Sequence, residues 1–136
     1  MAELATAVTT LLSGTEHDGP TPQLAARSEE LAEQLTRHLA RIVGEIGVIA
    51  LFKRSVVLAG VAYPWLVAEP RPPETTPIAA LRTALAAQPG ALAREGFLVV
   101  LSTFVALLGR LIGEPLVRMM LREVWPVAFD RPKENE

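Results

Sequence analysis

Two octapeptides concentrate the chain's chemistry-bearing residues. Residues 41–48 read RIVGEIGV and residues 110–117 read RLIGEPLV, so Arg41, Gly44 and Glu45 recur as Arg110, Gly113 and Glu114 sixty-nine positions later. On a helix, Arg and Glu four apart share one face. Such a pair contributes only about 0.2–0.5 kcal/mol, and Arg before Glu is the weaker order. The glycine between them would leave a notch where a second helix could approach. Both motifs are flanked by strongly apolar residues, Ile42, Val43 and Ile46 in one and Leu111, Ile112 and Leu116 in the other. The pattern therefore suggests two helices crossing near Gly44 and Gly113, with Arg41 meeting Glu114 and Arg110 meeting Glu45 about a pseudo-twofold axis. A homodimer could make the same exchange between chains. Chance similarity in a chain rich in Leu, Ile, Arg and Gly is the alternative.

Other reactive side chains form no recognised constellation. Di-iron helical bundles use Glu-x-x-His pairs, and neither Glu45 nor Glu114 has a His three residues on. Glu16-His17-Asp18 places three potential ligands together, but within a Gly/Pro linker and with no second cluster at metal-binding spacing. Histidine phosphotransfer domains carry the modified His on an exposed helix face before Lys-Gly. His38 is followed by Leu39, Ala40 and Arg41, which departs from that pattern and leaves it on the border of an apolar stripe. Ser13, Ser28, Ser55 and Ser102 lie in neither a Gly-x-Ser-x-Gly elbow nor a Ser-x-x-Lys arrangement, and no glycine-rich phosphate loop is present. With no cysteine, the chain has no disulfide, thiolate metal site or cysteine nucleophile. These readings point away from an enzyme, a metal and a cofactor.

Composition narrows the partners. The 136 residues fit one domain, half of them hydrophobic and 21% charged, with a formal charge of −2 that disfavours general nucleic-acid binding. Arg118 and Arg122 on the last helix are interleaved with Met119, Met120, Leu121 and Trp125 rather than with base-reading amides. Leu116, Met119, Met120 and Trp125 instead suggest an adaptable contact surface.

The elements that must position these residues read as helices throughout. Leu4, Val8, Leu11 and Leu12 share a face of an N-terminal helix, and GTEHDGPTP is a linker. Thr21-Pro22 should open a long helix, because proline at the first helical position loses no internal bond. Its stripe runs through Leu24, Leu31, Leu35, Leu39, Ile42, Ile46 and Ile49. Carried to Val61 it would reach about 60 Å, so a kink is expected within Gly44 to Gly47 or around Lys53-Arg54. Ser55 to Ala62 is apolar on all sides and reads as buried.

A proline-rich connector at 67–77 divides the chain into two loosely similar halves. Helices are expected at Ile78–Ala87, at Ala91–Ile112, and from Pro115 to Trp125, before a frayed tail at 130–136. Gly47 should let the first motif's helix run on or bend gently, whereas Pro115 should end one helix and begin another. No alternating segment bounded by turns indicates a strand. The expected fold is all-α, a single bundle of five or six helices.

Two uncharged stretches of fourteen residues, Ser55–Ala68 and Gly96–Gly109, fall short of the roughly 20 residues a spanning helix needs. Extending the second to Gly113 gives eighteen residues with one charge, which keeps a membrane-associated protein as the runner-up. The N-terminus carries Glu3 in place of a basic signal region. The leading expectation is a cytoplasmic, non-enzymatic interaction or regulatory module, homodimeric or docked on another helical protein. A third possibility is a bundle with an apolar ligand pocket lined by Phe52, Trp65, Phe97 and Phe104.

Overall fold

The computed structural model describes residues 2–12, 22–67 and 76–126. Glu16, His17, Asp18, most of the proline-rich connector and the 130–136 tail lie outside the described residues. Among the described residues there are six α-helices and no strand: α1 Ala2–Leu11, α2 Pro22–Val43, α3 Glu45–Ala59, α4 Pro77–Ala86, α5 Gly90–Ile112 and α6 Glu114–Val124. A 3-10 turn at Pro64–Leu66 follows α3.

Local chemistry accounts for the helix boundaries. Thr76 sits in extended backbone and its Oγ1 accepts the Ala79 N–H at 3.1 Å, with Pro77 at the first helical position of α4. Gly113 precedes α6, so Glu114 rather than Pro115 is its first residue, and Pro115 occupies the first turn without losing a bond. At the C-terminal end of α1, the Arg27 Nε donates to the Leu11 carbonyl at 3.2 Å, tying the helix terminus to α2.

The halves match more closely than their sequences suggest. Short, long and shorter helices of 10, 22 and 15 residues are followed by helices of 10, 23 and 11. The two sets are interleaved: α1 packs on α5, α4 on α2, α3 on α5 and α6 on α2. Each trailing helix runs antiparallel to the other half's long helix. Phe52 meets Phe104 with ring centroids 5.7 Å apart, while Tyr63, further along, reaches back to Glu95. Likewise Glu123 meets His38 and Trp125 meets Gln34. This directionality brings the junctions at Gly44 and Gly113 to the same end of the molecule.

The core follows from that arrangement. Leu24, Leu31, Leu35 and Leu39 of α2 are buried, as are Val48 and Phe52 of α3 and Phe97, Val100, Leu101, Phe104 and Leu108 of α5. Helix α5 touches all five others, and 39% of its most apolar eighteen-residue window is buried. It is the one candidate among the described helices long and apolar enough to cross a membrane by length and composition.

Two expectations about α2 and α3 require correction. The apolar stripe does not continue inward past Leu39: Ile42 is 51% and Ile46 86% exposed, and Ile49 is exposed as well. The backbone at Gly44 breaks the helix and resets its phase, so Val48, Phe52, Ser55 and Ala59 take the inward positions instead. Nor is Ser55–Ala62 buried all round, since Val57 is 61% and Val61 83% exposed and Leu58 is exposed too.

Candidate functional site

The two octapeptides occupy equivalent places in the fold. Gly44 has φ 87° and ψ 151°, Gly113 has φ 94° and ψ 140°, and each is the single residue between two helices. These angles belong to a region essentially reserved for glycine. The hydrogen bonding also repeats: Gly44 N donates to Ala40 O and Gly113 N to Gly109 O, while Val48 N donates to Gly44 O and Val117 N to Gly113 O. The expected contrast between a gentle bend at the first motif and a break at the second is therefore corrected, because both break alike. The notch explanation is corrected too. A Cβ at Gly44 would meet nothing within 4 Å, and one at Gly113 only Pro115 Cδ at 3.9 Å, so backbone conformation rather than helix approach requires glycine.

The charges at the motifs do not form the crossed pairs within the chain. Glu114 Oε2 lies 3.6 Å from Arg118 Nη2 on its own helix. Arg41, Glu45 and Arg110 are exposed and make no ion pair among the described residues. Beside them stand exposed apolar side chains at matching positions, Ile42 and Leu111, the latter 64% exposed. At the junction end, exposed Ile42 and Leu111 are each preceded by Arg and followed three residues on by Glu.

Of the contact-surface candidates on α6, Met120 and Trp125 are buried inside the chain, Leu116 is half-buried and Met119 is exposed. The first two are core residues because α6 lies on α2. The Trp125 Nε1–H donates to Gln34 Oε1 at 3.0 Å, which satisfies the indole where it is buried.

His38 bridges the same helices. Its Nε2 lies 2.8 Å from Glu123 Oε1 in a concave surface lined also by Gln34, Arg37 and Arg41. A second concavity of about 400 Å³ lies in the crook between α2 and α3. Ala40, Val48, Ile49, Phe52 and Ile78 line it, with Glu33, Arg37 and Glu45 among its polar residues. Its counterpart between α5 and α6 is lined by Val105, Gly109, Glu114 and Val117, with Leu4 of α1 alongside.

Of the four aromatic residues expected around an apolar pocket, Phe52 is a core side chain that also lines the α2/α3 concavity, Phe97 and Phe104 are fully buried, and Trp65 rests against Gly96. Tyr63 stacks edge-on to Trp65 at 6.1 Å and donates to Glu95 Oε1 at 3.4 Å. Desolvation, then the adjacent Glu95 carboxylate, raises the phenol above its ordinary pKa. Among the described residues no group of three His, Asp or Glu side chains is placed to hold a metal ion.

Compared with known protein families, curated proteins and solved structures, the chain matches none of them.

Proposed function

We propose that this chain is a small, non-enzymatic helical interaction module of the cytoplasm that self-associates through its junction end. One observation carries the reading: Ile42 and Leu111 are exposed at matching positions beside Arg41, Glu45 and Arg110, charges that make no ion pair among the described residues. A twofold contact uses the same patch on both subunits and must be self-complementary. An end that carries each sign twice, about an internal pseudo-twofold, meets that requirement. Arg41 would face Glu114 of a second copy and Arg110 its Glu45, around an apolar centre of Ile42 and Leu111. Opposite charges at the rim would set the register, while the desolvated centre would supply most of the affinity.

Sedimentation equilibrium tests this directly. The native chain should form a discrete dimer without detergent, and the pair I42D/L111D should be monomeric with unchanged helix content. Chains carrying E45R/E114R and R41E/R110E should each self-associate poorly yet form a mixed dimer when combined. A native chain that stays monomeric, or junction variants that dimerise as well as it does, would overturn the proposal.

A further inference from the structure

A second exposed apolar surface lies on the outside of α3, and its charges point to a different occupant. At about 100° per residue, Ile46, Ala50, Val57 and Val61 fall within roughly 60° of arc, opposite buried Phe52 and Ala59. Val61 belongs to the turn that continues the helix, where its N–H donates to Leu58 O. Leu58 and Val67 widen the patch at that end, Val67 lying against Gly60. Exposed Lys53 sits about 20° beyond one margin of the arc and exposed Arg54 about 20° beyond the other. The sole acid of α3, exposed Glu45, lies outside this arc at the junction, among the residues lining the α2/α3 crook.

This charge placement is unsuited to a second copy. Antiparallel self-pairing that sets Ile46 level with Val61 and Ala50 with Val57 also brings Lys53 to its own copy on one margin and Arg54 to its own copy on the other, at the centre of the contact. Like charges brought together in a desolvated contact are strongly unfavourable. An apolar stripe flanked on both margins by cations is instead the arrangement of a helix lying in a membrane interface. There the apolar residues enter the acyl boundary, and Lys and Arg extend their stems sideways to the headgroups. At its C-terminal end the face borders a concavity lined by Lys53, Val57 and Val67 together with Thr76, Pro77 and Ala80 of the α4 end.

We propose that the outer face of α3 adsorbs to an anionic lipid surface, with Ile46, Val57 and Val61 entering the interface and Lys53 and Arg54 meeting acidic headgroups. This does not rest on self-association through the junction end, and it requires no spanning segment.

Co-sedimentation of the full chain with vesicles tests it. Vesicles of phosphatidylcholine with about 30% phosphatidylserine should bind the chain, whereas pure phosphatidylcholine should bind it at least roughly tenfold more weakly. Raising salt to about 0.5 M should release most of it. K53Q/R54Q should lower partitioning about thirtyfold, each cation near an anionic surface contributing severalfold, and V57N/V61N should lower it by roughly tenfold or more. Equal binding to both vesicle types, or none to either, would overturn the proposal and point to a carboxylate-bearing protein surface. A weaker chain–chain dimer in K53Q/R54Q would also overturn it, since the face would then belong to self-association. Loss of dimerisation in I42D/L111D with vesicle binding retained would leave it standing.

Discussion

Gly44 and Gly47 lie three residues apart, yet alanine should move stability in opposite directions at the two sites. At Gly44 the backbone has φ 87°, which a side chain tolerates poorly, so Gly44→Ala should destabilise by about 1–3 kcal/mol, and Gly113→Ala similarly. At Gly47 the backbone is helical and a Cβ would meet nothing within 4 Å. Gly47→Ala should stabilise by roughly 0.5–1 kcal/mol. Thermal unfolding of the three variants checks the signs, and a stabilised Gly44→Ala would contradict the junction geometry. The crossed ion pairs belong to this scale as well. A double-mutant cycle on Arg41 and Glu114 in the isolated monomer should show coupling near zero, because Glu114 is drawn to Arg118 on its own helix.

At the scale of elements, the two halves lock through their trailing helices. Phe52 carries α3 onto α5 by packing edge-on against Phe104. Phe52→Ala should cost about 3–5 kcal/mol, the range for emptying a buried aromatic site. Thr76→Ala, which removes the side-chain cap of α4, should cost about 1 kcal/mol. Urea unfolding of both variants should separate these magnitudes clearly. Tyr63 links the turn after α3 to α5 through Glu95. Its phenol is held above the ordinary range in the folded chain, so the folded state binds that proton more tightly than the unfolded one. Stability should therefore fall as pH rises through the tyrosine range, and Tyr63→Phe should flatten that part of the profile.

At the scale of the whole molecule, α3 is the element with least shelter. Its inward face is core, its N-terminal end adjoins the junction patch, and its outer arc carries exposed valine and isoleucine between two cations. The largest exposed apolar side chains thus gather on two neighbouring surfaces rather than scattering singly, the pattern expected of contact sites. The surfaces differ in charge: the junction end carries both signs twice, and the outer arc of α3 only cations. That difference is what distinguishes the proposed self-complementary contact from the proposed adsorption to an anionic surface, and the two sets of variants should act independently.

The sequence by itself determined the all-α class, the long helices and the division into two halves. Periodicity of Leu24, Leu31, Leu35 and Leu39 and the punctuation at Thr76-Pro77 and Pro115 are local signals, carried by residues within a turn or two of one another. It also marked Arg41, Gly44, Glu45, Arg110, Gly113 and Glu114 as related. What it could not convey was the reason for the glycines, because a positive φ and a packing notch both select the same residue. It also could not separate the inner from the outer face of α3, whose Ile46, Val48, Ile49, Phe52, Val57 and Val61 are apolar on both sides. Tertiary structure alone decided that. The break at Gly44 turns Val48 and Phe52 towards α5 and leaves Ile46, Val57 and Val61 facing outward, a choice made by contacts some fifty residues away in the chain.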